Sequence, residues 1–134
     1  MQRIHNELPA LKDLSAHNAT KSADAVAFED ATESVTWGEF EERSKRAADL
    51  FGDHVSKGDR IAFYSKPSVQ HAALFNGALK AGAVTTNLHR RIAPAAFRYS
   101  IEQTKPTVIV VDGEIADSFA EAATEDVLAP VSAV

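Results

Sequence analysis

Cysteine is missing from all 134 residues, which excludes disulfides, thiolate metal ligands and a cysteine nucleophile. Apolar runs are short: none approaches the roughly 20 predominantly apolar residues of a membrane-spanning helix. The opening MQRIHNELPALKD carries polar and charged residues where a secretory leader would be apolar. Positive charge is scarce as well. Lys and Arg number 14 against 19 Asp and Glu, a net charge of −5, so the chain as a whole has no attraction for nucleic acid or an anionic membrane. A cytoplasmic protein in a reducing compartment is the expectation.

Glycine is thinly spread. Its six positions, 38, 52, 58, 77, 82 and 113, form neither GxGxxG nor GxxxxGK[ST]. A phosphate loop needs glycines close together at a strand-to-helix turn, so that consecutive backbone N–H groups face the anion. Independent nucleotide binding therefore has no support in the sequence. The histidines at 5, 17, 54, 71 and 89 include no pair three or four apart, and no metal site is expected. Ser65 and Ser68 lack the flanking glycines of a nucleophile elbow. Glu41/Glu42 and Asp112/Glu114 have no apolar enclosure to raise a pKa. No catalytic residue is assigned.

What remains is ordinary for a folded domain: 45% hydrophobic and 25% charged residues. A domain of this length buries roughly two-thirds of its unfolded surface. Residues 1–24 read as a helical segment, with Leu8, Leu11 and Leu14 spaced for one face. Ala25 to Glu29 and Ser34 to Val35 form strands about the polar turn Asp30-Ala31-Thr32-Glu33, a hairpin pattern. Thr36 followed by Glu39 is a capping box, and Trp37, Phe40, Ala47 and Phe51 then share a helical face. Glu41/Lys45 and Glu42/Arg46 are read as exposed pairs on its solvated side.

Arg60 to Ser65 is a buried strand, and Val69 to Ala81 a helix apolar nearly all round, opened by Pro67-Ser68 and stopped by Gly82. His71 and Asn76 interrupt that helix as interior polar residues or a subunit contact. Ala83 to Thr86 is the next strand. Pro94 opens a helix carrying Phe97, Ile101 and Thr104 on one face, and Pro106 ends it. The β-branched run Thr107 to Val111 reads as a strand covered on both sides. Ile115 to Ala123 reads as a short amphipathic helix, and the tail from Val127 is featureless. Strands alternating with helices from residue 60 onward give an α/β class with a mainly parallel sheet and flanking helices. The basic cluster His89-Arg90-Arg91 after a strand either holds a phosphate or forms a solvated loop.

Taken together, AVAFEDATESVTWGEFEERSKRAADLF, KGDRIAFYSKPSVQHAALFNGALKAGAVTTNLHRRIAP and YSIEQTKPTVIVVDGE resemble the N-terminal region of the AMP-forming acyl-CoA synthetase, luciferase and peptide-synthetase adenylation family. TWGEF resembles the first core motif of these adenylate-forming ligases and LKAGAVTTN the second, while NLHRRIAP is more similar to the fatty-acyl and aryl-CoA branches. The resemblance implies a single partial domain over 1–134: the helical segment 1–24, a family-like α/β region at 25–114, and a helix and tail at 115–134. It implies the first part of the family's large N-terminal domain, from an enzyme that activates a carboxylate with ATP and Mg and passes it to coenzyme A. By similarity, Arg91 aligns with an arginine near the nucleotide phosphate of CoA. The later family motifs, with their phosphate loop and catalytic lysine, have no counterpart here. The expectation is a truncated or split portion, inactive and without cofactors by itself, completed by a second polypeptide or by self-association. The alternative is a non-catalytic α/β interaction or small-molecule binding module.

Overall fold

The computed structural model describes residues 10–129, 131 and 132. A 3-10 turn, Leu11–Asp13, leads into α1 (Leu14–Ser22). Leu8 lies outside the described residues, and the expected leucine face does not enter a core: Leu11 and Leu14 are 65% and 40% exposed. The buried residue of α1 is Ser15. A polar side chain docks this helix, which apolar spacing cannot reveal.

The hairpin is present, with β1 (Val26–Glu29) antiparallel to β2 (Ser34–Thr36). Asp30 closes its turn by accepting from the N–H groups of Thr32 and Glu33 at 2.8 and 3.0 Å. The next element, α2 (Trp37–Gly52), begins with the reciprocal cap: Glu39 N donates to Thr36 Oγ1, and Thr36 N donates to Glu39 Oε2. A cap of this kind contributes about 1 kcal/mol. Phe40, Ala47 and Phe51 are buried as their spacing predicts.

The solvated charge face is corrected at Glu41, which is buried together with Ser44. Glu41 stands four residues after Trp37 and three before Ser44, so it falls on the inward stripe. Polar partners there replace its water. Glu42 remains outside and pairs with Lys45 at 2.9 Å, three residues on, instead of with Arg46.

Three parallel strands follow in the order β4-β3-β5, namely Val84–Asn87, Arg60–Tyr64 and Val108–Val111. Ala62 on the central strand faces Thr86 on one side and Ile109 on the other. Successive β3 side chains serve opposite faces. Ile61 and Phe63 pack with Ala47, Phe51 and Ala78, beneath α2 and α3 (Val69–Lys80). Ala62 and Tyr64 pack with Phe97, Ile101 and Phe119, beneath α4 (Pro94–Thr104) and α5 (Ala116–Ala122). These two layers make the expected α/β architecture.

Ser68 caps α3 by accepting from His71 N at 3.0 Å, and Gly82 takes the left-handed φ of 80° beyond its end. Lys105, at φ 45°, closes α4 just before Pro106. The β-branched run does form β5, but only Val108 and Ile109 are fully buried; Val110 and Val111 are half-buried on an edge strand of the described sheet. The tail expected to be featureless contains α6 (Glu125–Leu128), whose Val127 joins the α4–α5 core. No helix among the described residues is long and apolar enough to cross a membrane.

Candidate functional site

Because α3 covers one face of the sheet and α4 and α5 the other, the chain leaves β3 and β5 in opposite directions. In open α/β sheets this divergence leaves a crevice at the carboxyl ends of the strands, where ligands bind. Here it has a volume of about 460 Å³, with Ser65–Ser68 on one wall, Val111–Glu114 on the other and the hairpin turn at its rim. Its charged groups are Asp30, Glu33, Asp112 and Glu114 against the single Lys66.

Most of these groups are committed to the fold. Asp30 Oδ2 accepts from Val69 N at 2.9 Å, tying the hairpin to the start of α3. That bond first, then those from the Thr32 hydroxyl and from the Thr32 and Glu33 N–H groups, holds the Asp30 carboxyl well below the usual carboxylate range. Lys66 Nζ is ion-paired with Glu114, and the hydrogen bond raises its pKa. Asp112 Oδ1 accepts from Glu114 N at 2.9 Å.

A second crevice, of about 690 Å³, opens between the ends of β3 and β4. Ser65, Lys66, His71, Asn87, His89 and Arg90 line it, so its charge is positive where the first is negative. Ser65 Oγ lies 2.6 Å from His71 Nδ1, and burial lowers the His71 pKa, which keeps the imidazole neutral at pH 7. Tyr64 Oη donates to Arg90 O at 2.8 Å and so pins the loop from beneath. Arg91 N donates to His89 Nδ1 at 3.1 Å. Arg91, singled out by similarity, is exposed and lies outside the crevice wall, whereas its neighbour Arg90 is on it. Among the described residues neither arginine forms an ion pair.

A third, apolar groove of about 310 Å³ runs between Leu11, Leu14, Phe28, Trp37, Phe75 and Leu79. Behind it sits a polar cluster that the sequence does not disclose. Ser15 Oγ donates to Glu41 Oε2 at 2.6 Å and accepts from Asn76 Nδ2 at 2.8 Å, and Lys80 Nζ lies 2.9 Å from the same carboxylate oxygen. Asn76 is therefore a satisfied interior residue.

The described residues do not fit a triphosphate. Gly58 and Gly82, the two with left-handed φ, bond each other at the amino end of the sheet, remote from both crevices. Gly113 does stand at the carboxyl end, but it opens a 3-10 turn among carboxylates. The exposed arginines of the β4–α4 loop do fit a phosphate, since a guanidinium meets two phosphate oxygens at once. Among the described residues no three His, Asp or Glu side chains gather as metal ligands.

A family model described as AMP-binding enzyme matches residues 15–133. The chain is 36% identical over 104 residues to a 3-hydroxybenzoate-CoA ligase of Aromatoleum sp., an alignment covering 77% of this chain and 20% of that protein. It thus spans about a fifth of the length of the curated relatives it matches. Among solved structures, a fatty acyl CoA synthetase of Mycobacterium tuberculosis superposes with a TM-score of 0.84 at 24% identity, over 92% of this chain and 25% of that one. The N-terminal domain of FACL13 from the same organism gives 0.86 at 23% identity, over 94% and 33%. At these identities the two structures establish the fold: it is that found in the N-terminal domains of adenylate-forming ligases.

Proposed function

The chain belongs to the AMP-binding enzyme family, and on that footing we propose that it is the amino-terminal portion of an AMP-forming acyl-CoA ligase acting on a fatty or aryl carboxylic acid. The whole enzyme would join the carboxylate to AMP with ATP and Mg, then transfer the acyl group to coenzyme A. This portion supplies the sheet, its flanking helices and the cationic β4–α4 loop. It does not supply the reacting centre.

The observation carrying this reading is a family match over residues 15–133 in a chain whose glycines build no triphosphate cradle at the carboxyl end of its sheet. Preorganised donors aimed at developing charge are usually the largest catalytic contribution, so a chain without them is inactive by itself. A second polypeptide carrying the later motifs completes it. Arg91, exposed on the loop, meets the nucleotide phosphate of CoA in the assembled enzyme. ATP–pyrophosphate exchange measured with a panel of fatty and aryl acids tests the reading. No carboxylate-dependent exchange is expected from the purified chain, and turnover by it overturns the proposal.

The apolar groove favours a second reading, a non-catalytic interaction module. Leu11 and Phe28 leave 65% and 39% of their surface exposed beside Trp37. Light scattering after size exclusion separates the two: a monomer that binds no apolar dye counts against any need for a covering partner.

A further inference from the structure

We propose that Ser65 and His71 act as nucleophile and base, cleaving activated carboxylic esters through an acyl-serine intermediate. The site goes beyond the ligase reading, since it needs no nucleotide, no coenzyme A and no second polypeptide. Its two residues, six apart in sequence, meet because the end of β3 turns directly into α3. Three features of the structure carry it.

The first is the contact itself. Ser65 Oγ lies 2.6 Å from His71 Nδ1, within the reach a general base needs to take a hydroxyl proton. Burial lowers the His71 pKa, so the ring is neutral at pH 7, and the tautomer with its proton on Nε2 leaves Nδ1 as the acceptor. The second is the fixing of both partners. Ser65 directly follows the buried Tyr64 of β3, and the imidazole lies against Phe63 and Phe75 with ring centroids at 5.4 and 6.0 Å. His71 N is itself tied to the α3 cap, donating to Ser68 Oγ at 3.0 Å. Groups held on rigid elements keep the geometry that the reaction needs.

The third is access to a carbonyl and to a donor for its oxygen. Ser65 and His71 line both crevices, so an ester can approach Oγ from solvent. Gln70 lines the acidic one beside them, and its N–H, in the first turn of α3, has no hydrogen-bond partner among the described residues. A free donor at the positive end of a helix suits the oxyanion of a tetrahedral intermediate. In the first half-reaction the bond from Oγ to the carbonyl carbon forms while the hydroxyl proton passes to Nδ1. The alcohol or phenol then leaves with that proton. In the second, water gives a proton to Nδ1 and its oxygen to the acyl carbon; the acid departs and the proton returns to Oγ. Phe63 and Leu88 on the wall of the basic crevice suit a short aliphatic or aryl acyl group.

The test is reaction of the purified chain with an alkyl fluorophosphonate, which traps an activated serine as its hydroxyl displaces fluoride. The adduct is located by intact-mass and peptide analysis. Labelling at Ser65 is expected, together with hydrolysis of 4-nitrophenyl butyrate faster than by free imidazole at equal concentration. Ser65→Ala abolishes both, whereas Ser100→Ala, on α4, leaves both within about twofold of the native chain. His71→Asn keeps a hydrogen-bonding atom near the place of Nδ1 but cannot take the proton, and it slows labelling at least about tenfold with circular dichroism unchanged. A chain that takes no label, takes it elsewhere, or labels at the native rate as His71→Asn overturns the proposal. So does hydrolysis that survives Ser65→Ala, the mark of an imidazole acting alone. Neither ATP nor coenzyme A is present, so failure here leaves the ligase reading standing, and carboxylate-dependent ATP–pyrophosphate exchange by the chain leaves this site standing.

Discussion

Glu41 on α2 and Lys80 on α3 form an ion pair of 2.9 Å with side chains only 7% and 14% exposed, and the same carboxylate receives the Ser15 hydroxyl of α1. One acidic group thus joins three helices. Removing one partner of a buried pair leaves an uncompensated charge, at a cost of about 3–5 kcal/mol. Glu41→Ala is expected to lose stability of about that size in urea denaturation followed by the fluorescence of Trp37. Glu41→Leu with Lys80→Met recovers at least half of the loss, and a single variant as stable as the native chain contradicts the clasp.

Gly77 tests how closely the same two helices approach. A Cβ there would stand 2.4 Å from Ala47 Cβ and 2.9 Å from Ser44 O. Overpacking of a tight contact costs about 1–3 kcal/mol. Gly77→Ala is expected to destabilise by that amount despite alanine's better helix propensity. Adding Ala47→Gly restores part of it, and only part, because the Ser44 carbonyl stays in place. A stabilised Gly77→Ala chain would mean that α2 and α3 lie farther apart.

Asp30 sets an acid limit. Its folded pKa lies below the unfolded aspartate value of about 3.9, so the stability it supplies is complete above that pH and is lost as pH falls toward the folded value. Asp30→Asn is expected to be less stable than the native chain at pH 7, with the difference shrinking as pH falls below the unfolded aspartate value of about 3.9 and vanishing only toward the folded value. Acid unfolding followed by circular dichroism checks this. Parallel curves for the two chains would show that the bond to Val69 N contributes nothing.

His71 has the opposite dependence in origin but the same slope in pH. Burial lowers its folded pKa, so the unfolded chain binds more protons between the folded and ordinary values, and stability rises with pH across that window. Its ring proton resonance is expected to titrate below the ordinary histidine value of about 6.5. Titration at or above that value contradicts a half-buried imidazole whose charged form is disfavoured by lost solvation.

Much of the architecture was legible because it rests on short-range chemistry. Thr36 and Glu39 announce the start of α2, Ser68 that of α3, and Pro94 that of α4, each by satisfying or avoiding orphan N–H groups. The β-branched run at β5 marks a strand because no helix suits it. What escaped depends on partners distant in sequence. Glu41 looks solvated until Ser15, 26 residues earlier, and Lys80 meet it. Ser15 itself carries no local sign of burial. The cluster His89-Arg90-Arg91 was visible as charge, but not that Tyr64, 26 residues before Arg90, holds the loop through the Arg90 carbonyl.

The most direct test of the central claim is a single-turnover search for acyl-adenylate. The purified chain, in excess over MgATP and a fatty or aryl acid, is quenched and the mixed anhydride is quantified by mass spectrometry. The account predicts none above a protein-free control, and an adenylate yield that grows in proportion to the chain would contradict it.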